Sequence, residues 1–501
     1  MRPVYLAETI RAAEAPLLEA LPGVLMQRAA TALASVLLRE LRAVRGAVYG
    51  ARVLLVVGSG NNGGDALYAG ARLSGRGVRV AAWRTSQRVH ESAWAAFRAA
   101  GGRELDAVGA VAGLSAVDLV VDGVLGIGGR AGLREPVALF ARACVDAGVP
   151  VVAVDLPSGL AADSPALVER VETRASLVER VETRVSTSST GGGGVSHFAA
   201  ARTVTFGGLK FCQVLQPAAS GCGVVEVVDI GLDLPEPDLR CWEPSDVAAA
   251  WPWPGVTSDK YSRGVVGLDT GSDAYPGAAV LSTLGAVQAG AGMVRFAGAA
   301  GAAGLVGRAA PNVVFGAGRV QARVLGSGWG DRADGAAVVE RALAEGIPLV
   351  LDADALRFLP ATALGEQVLL TPHAGELAKL LGIDRAAVAS DPICAVRRAA
   401  KWFGATVLLK GATQYVCGPD GGVSIAVPGP HWTAQAGSGD VLAGICGTLL
   451  AAGLPPAKAA LAGASIQALT AAAAPGPYPP QQLVVERLPG VIAGLRPPLP
   501  G

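Results

Sequence analysis

A chain of 501 residues, 51% of them hydrophobic, is too long for one ordinary domain and has ample apolar material for sizeable cores. Its 42 Lys and Arg against 41 Asp and Glu leave a net charge of +1, which offers no electrostatic footprint for a nucleic-acid partner. The seven Cys are scattered without a C-x-x-C pair, and with only four His there is no zinc-ligand spacing, so the thiols read as reduced core filler of a cytoplasmic protein.

Arg2, Glu8, Arg11 and Glu14 precede any long apolar run, which argues against a secretory signal at the N-terminus. Short apolar runs then alternate with Ala-rich helical stretches. They are Val53–Val57, Leu119–Val121 and Val151–Val154 in the first half, and Val324–Leu325, Leu349–Leu351, Val368–Leu370 and Val407–Leu409 in the second. Such runs indicate parallel strands covered on both faces, with ligands expected beyond their carboxyl ends. Between the halves, Leu232–Lys260 carries five prolines and little periodicity, which predicts domains at 1–232 and 259–501 joined by a linker at 233–258. Leu167–Arg174 is repeated at Leu177–Arg184 inside an insert at about 164–196. A tandem duplication in a surface loop accounts for it, since the charges cancel within each copy. The uncharged stretches Tyr275–Val294 and Val441–Pro456 are rich in Ala and Gly and predict helices buried in α/β domains, with no membrane role.

The first constellation begins where the strand Ala51–Val57 meets Gly58-Ser-Gly-Asn-Asn-Gly-Gly-Asp65, with a helix expected from about Ala66. G-x-G-x-x-G in this context suits a pyrophosphate held by backbone N–H groups. A hydride-transfer domain should carry an acid at the end of the next strand, yet Val78–Trp83 ends in Arg84. Two further strand ends converge, Asp122 to Gly132 and Asp155 to Gly159. Asn and Ser oxygens beside a carboxylate suit a hard monovalent or divalent cation, and a second glycine loop suits a second phosphate contact. A helix cap or turn is the alternative for each lone Asp.

Together with Thr205-Phe-Gly-Gly-Leu-Lys210 and Leu25-Met-Gln-Arg-Ala-Ala30, these segments resemble the NAD(P)H-hydrate epimerase domain over roughly residues 1–232. The resemblance implies a Rossmann-like three-layer fold and a potassium ion on Asn62, Asp122 and Ser158. It implies nucleotide contacts from Asn61, Asn62, Gly63, Gly64 and Asp65, and from Gly126, Ile127, Gly128, Gly129, Arg130, Ala131 and Gly132. Asp155 would meet the hydrated nicotinamide ring and move protons there, with Lys210 close by. The family usually has Asp where Ala161 stands.

The second constellation is Gly437-Ser-Gly-Asp440 ahead of an apolar helix. Free N–H groups at the helix start form an anion hole, and an Asp beside it can take a hydroxyl proton during phosphoryl transfer. Lys410-Gly-Ala-Thr-Gln414, Thr371-Pro-His373-Ala-Gly-Glu376 and Asp352-Ala-Asp354 end neighbouring strands, and the absence of a G-x-x-x-x-G-K-[ST] run excludes a P-loop kinase. With Lys260-Tyr-Ser-Arg-Gly264, Gly271–Ala278 and Gly326–Gly330, these stretches resemble ribokinase-like kinases over roughly residues 245–495. More closely they resemble the ADP/ATP-dependent NAD(P)H-hydrate dehydratases among those kinases. That resemblance implies dinucleotide contacts from Ala278, Gly328, His373 and Asp440. Lys410, Gly411, Ala412, Thr413, Gln414 and Gly439 would contact ADP or ATP, Asp440 would be the base, and Mg²⁺ would shield the phosphoryl charge. Asp259-Lys260-Tyr261 stands where the family commonly opens His-Lys-Gly.

The expectation is therefore an α/β chain of two domains, an N-terminal Rossmann-like epimerase and a C-terminal ribokinase-like dehydratase, that repairs hydrated NADH and NADPH. Its partners would be small molecules, with no nucleic acid or membrane, and it would assemble as a homo-oligomer. A vitamin-precursor kinase and a non-catalytic binding scaffold in the first half are the alternatives. The choice between ADP and ATP stays open.

Overall fold

A computed structural model describes residues 1–164, 197–474 and 476–496, so the repeat lies outside the described residues. The chain divides into two compact units, Pro3–Asp238 and Leu239–Gly501 with Met1–Arg2. Among the described residues, no single helix is long and apolar enough to cross a membrane.

Among the described residues the first unit is built on a seven-stranded sheet in the order Arg103–Leu105, Arg79–Arg84, Arg52–Val57, Leu119–Gly123, Val151–Val154, Arg202–Phe206 and Val224–Val228. All its pairings are parallel. The central strands are apolar on both faces because separate clusters of buried side chains cover each side, one around Leu33, Leu55 and Phe97 and the other around Leu54, Trp83 and Phe140. Strand order reverses between Arg52–Val57 and Leu119–Gly123, which opens a crevice at their carboxyl ends. The helix there spans Asn61–Ser74, beginning five residues before the expected start. Its first turn is already helical, with Gly64 N–H bonded to Gly60 O at 3.2 Å. Gly63 is what permits this, since a Cβ there would run into the Gly58 carbonyl oxygen.

The second unit's strand order is Val314–Phe315, Met293–Phe296, Val265–Asp269, Ala322–Leu325, Leu349–Leu351, Val368–Leu370, Thr406–Leu409, Tyr415–Cys417, Val423–Ile425 and Leu239–Cys241. The pairings are parallel as far as Thr406–Leu409, and the next two are antiparallel. Part of the segment read as a linker is structured. It forms the strand Leu239–Cys241 and the helix Pro244–Ala250, and buries Trp242, Val247 and Trp251 in this unit's core. Its prolines mask a short amphipathic element rather than a connector, because Pro244 sits at the helix start, where its missing N–H costs nothing. The two uncharged stretches centre on the helices Pro276–Gln288 and Ser438–Ala451. These helices pack closely because a Cβ on Gly444 would meet the Ser282 carbonyl oxygen and one on Gly285 would meet that of Val441.

Candidate active sites

In the first unit the carboxyl ends of Val151–Val154 and Arg202–Phe206 lead into a buried ionic cluster. Asp155 is 6% exposed and adopts φ +65°, a left-handed conformation that costs a non-glycine residue about 1 kcal/mol or more. It is held there by its N–H to Val204 O at 2.7 Å and by Gln213 Nε2 donating to its carbonyl at 2.7 Å. Lys210 is fully buried beside it. Its Nζ donates to Asp155 Oδ1 at 2.6 Å, Thr205 Oγ1 at 2.7 Å and Phe206 O at 3.0 Å, which places all three ammonium protons. The other carboxylate oxygen of Asp155 accepts from Ile127 N–H at 3.2 Å, so the glycine loop closes over the same group.

Two more carboxyls face this cluster. Asp65 is 7% exposed and its Oδ1 has no hydrogen-bond partner among the described residues. Burial first, then the charges of Asp155 and Glu14, push its carboxyl well above the ordinary range. Glu14, on the helix Ala7–Ala20, is raised by burial and by Asp155 against the pull of Lys210 and Arg11. The chemistry available is therefore a carboxylate held by a lysine, beside a carboxyl whose protonated form burial favours, in a site mostly closed to water.

Asp122 is fully buried one strand away. Its oxygens accept from Ser158 N–H at 2.7 Å, Ser158 Oγ at 2.6 Å and Val124 N–H at 3.2 Å, and no described cationic side chain reaches it. Burial raises its pKa to about 6 despite those hydrogen bonds. The Asn62 amide donates to Leu125 O at 3.0 Å and Val154 O at 2.5 Å, which gathers further carbonyl oxygens nearby. A buried, uncompensated carboxylate amid hydroxyl and carbonyl oxygens fits a hard cation, although the NH₂ of Asn62, not its oxygen, faces those carbonyls.

The expected residues around Asn62, Asp122, Ile127, Asp155, Ser158 and Lys210 thus come together. Gly63 and Gly64 are buried within the helix, while Gly128, Arg130 and Ala131 lie exposed on the loop. Glu14, Thr205 and Gln213 went unassigned. Thr205 stood inside a quoted motif, but the positions of Glu14 and Gln213 depend on chain pairing that no local pattern announces.

In the second unit a cavity of about 1260 Å³ opens where strand order reverses beside Val265–Asp269. Ala278, Gly328 and Asp440 line it, together with Asp273, Asp331, Asp354, Arg332 and Arg357. Asp440 lies in the first turn of Ser438–Ala451. Burial and the Asp352 charge, opposed by Lys410 and reinforced by Asp354, raise its pKa to about 7, the range of a working general base. Lys410 Nζ bonds Asp352 Oδ1 at 2.6 Å and lies against Gly439. Burial disfavours the charge on Lys410, but Asp352, Glu376 and Asp440 outweigh it and raise the pKa. Arg332 is fixed by Asp269 at 2.6 Å and stacks 4.6 Å from the Trp329 ring centroid.

Three expectations sit differently. His373 is off the cavity wall, with its side chain 59% exposed. Its Nδ1 accepts from Gly375 N–H at 3.0 Å and Glu376 N–H at 3.1 Å, so in this structure it caps the helix Ala374–Leu381. The segment Lys410–Gln414 and Gly439 also lie outside the lining. Asp352, Ser327 and Thr371 stood in quoted motifs without a role, and Asp269, Arg332 and Arg357 went unassigned.

The family model described as YjeF-related protein N-terminus matches residues 22–212, and that described as NAD(P)H-hydrate dehydratase matches residues 266–484. The bifunctional NAD(P)H-hydrate repair enzyme Nnr of Mycobacterium leprae is 46% identical, the match covering 95% of this chain and 96% of that one. Its counterpart in Mycobacterium tuberculosis is 46% identical over 92% of this chain and 91% of that one. An ADP-dependent (S)-NAD(P)H-hydrate dehydratase of Xanthomonas campestris is 36% identical over 44% of this chain and 83% of that one.

Proposed function

The chain belongs to the family of bifunctional NAD(P)H-hydrate repair enzymes, and from that premise we propose how its two sites divide the work. The first unit interconverts the R and S epimers of hydrated NADH and NADPH, and the second dehydrates the S epimer at the expense of ADP or ATP. The observation that carries the reading is Asp440, a carboxyl with a pKa raised to about 7 at a helix start on the wall of a large cavity.

Asp440 takes the proton of the ring hydroxyl while that oxygen forms a bond to the terminal phosphorus of the nucleotide, whose bridging P–O bond breaks. The phosphorylated ring then loses a proton from the adjacent carbon and expels phosphate, which restores the ring double bond. With ADP the balance is hydrate plus ADP giving NADH, AMP, hydrogen phosphate and one proton, released to solvent through Asp440. A Mg²⁺ ion bound with the nucleotide would shield the charge on the transferring group. The N–H groups of the Ser438–Ala451 helix start favour the same anion, and Lys410 stands beside Gly439 to do likewise.

In the first unit Asp155 moves protons at the hydrated ring carbon, with its carboxylate oriented by hydrogen bonds from Lys210 and Thr205. The loop Gly126–Gly132 and the start of Asn61–Ser74 hold the nucleotide phosphates. Asp122, Ser158 and the neighbouring carbonyls would hold a potassium ion, which would supply the positive charge that the buried Asp122 lacks.

The test is recovery of absorbance at 340 nm from mixed hydrate epimers with Mg²⁺, K⁺ and either nucleotide. Wild type restores the whole amount. Asp155→Ala restores the S fraction quickly and the rest slowly, and Asp440→Ala restores none. No recovery with either nucleotide would sink the assignment and favour a vitamin-precursor kinase.

A further inference from the structure

Beside Asp440, four neighbouring strands each end in a polar side chain, and the four meet at one atom group. Asp352, 1% exposed, follows Leu349–Leu351. Its Oδ1 accepts from Lys410 Nζ at 2.6 Å and Thr371 Oγ1 at 2.7 Å, and its Oδ2 accepts from Ser327 Oγ at 2.8 Å. Ser327 lies just past Ala322–Leu325, Thr371 past Val368–Leu370 and Lys410 past Thr406–Leu409. Ser327 and Thr371 are themselves buried. The next residue, Ala353, has φ +48° and shares the left-handed region with Asp155 alone among the described non-glycine residues. Enclosing a carboxylate is costly unless it is paired and hydrogen-bonded, and strained backbone persists only where its surroundings over-determine it.

We propose that Asp352 is a positioning residue of the dehydratase, which acts by fixing the Lys410 ammonium against Gly439 and Asp440 where the phosphoryl group is transferred. Asp352 does not meet the reacting atoms. Two hydroxyls orient its carboxylate, and the carboxylate selects one arrangement of a long, otherwise mobile lysine. A cation placed this way needs no reorganisation when charge develops on the transferring group. The inference rests on Asp440 as the base. The charged groups facing Asp440 are Asp352, Asp354 and Lys410. The helix Pro276–Gln288, packed along Ser438–Ala451, carries no titratable side chain, Glu376 faces Lys410, and Asp269 is tied to Arg332. Removing the Asp352 charge takes away a repulsion that raises the Asp440 pKa, so Asp440 ionises at lower pH.

The experiment uses the full chain, (S)-NADH hydrate, Mg²⁺ and ADP, read at 340 nm across pH. In D352N, kcat falls about 100-fold, as a small misplacement of a reacting group costs. KM for the hydrate stays within about threefold and the acid limb of the kcat profile moves to lower pH. In a Lys410→Met background D352N costs nothing further, because both changes remove the same arrangement. A kcat within about threefold of wild type, an unmoved acid limb, or the same factor lost in the Lys410→Met background would each overturn the proposal. If D352N fails to fold by circular dichroism, Thr371→Val leaves the ion pair but frees its anchor. A kcat loss of about tenfold then supports the proposal and none overturns it. Full activity of Asp440→Asn would refute the base assignment, while the Asp352–Lys410 coupling would still be read from the double-mutant comparison.

Discussion

A carboxylate that is wholly enclosed and meets one hydroxyl and two amide N–H groups is short of positive charge, and Asp122 is in that position. If potassium supplies the charge, it binds the folded chain and not the unfolded one. A cation at about a hundred times its Kd adds about 2.7 kcal/mol of stability. Thermal melts in KCl are therefore expected to run several degrees above melts in choline chloride of equal ionic strength, and Asp122→Asn is expected to erase the difference. Equal melts for wild type would remove potassium from the site. Asp122 and Asp155 were legible in the sequence because each follows an apolar run, and Ser158 and Asp440 because each stands beside glycine in a strand-end or helix-start motif. Glu14, Gln213 and the role of Asp352 were not, since their partners lie on other strands or helices and only chain pairing supplies them.

Helix placement is decided by glycines rather than by large side chains. Gly444 lets Ser438–Ala451 lie with its backbone against Ser282, and that crossing fixes where Asp440 emerges. Gly444→Ala forces the helices apart. It is expected to lower stability by about 1–3 kcal/mol in urea unfolding, with a fall in kcat larger than the stability loss explains. An unchanged melt would show that the crossing has slack. The central strands Arg52–Val57, Leu119–Gly123 and Val151–Val154 and those from Ala322–Leu325 to Thr406–Leu409 were legible from their apolar runs, and the two uncharged stretches were legible as buried helices. The start of Asn61–Ser74 was missed because glycine opposes helix by propensity, and packing against Gly58 overrides it. The structured part of 233–258 was missed because its five prolines resemble a connector until Trp242 and Trp251 are seen in the core.

For the whole molecule, joining an epimerase to a dehydratase that takes one epimer lets the damaged pool drain through a single exit. The speed of entry to that exit depends on the charge around the second unit's cavity. Asp273, Asp331, Asp354 and Asp440 line it against Arg332 and Arg357, while the incoming dinucleotide is itself an anion. Diffusional encounter is then slowed by repulsion rather than speeded by attraction. Raising ionic strength from roughly 10 mM to 150 mM at fixed Mg²⁺ shortens the Debye length from about 30 Å to about 8 Å. With that screening, kcat/KM for the hydrate should rise rather than fall. A fall would show that the helix terminus at Ser438 and the two arginines outweigh the carboxylates at long range. If the carboxylates prevail, salt becomes an accelerator of capture, and the repair rate for dilute substrate is then a property of the solution as well as of the fold.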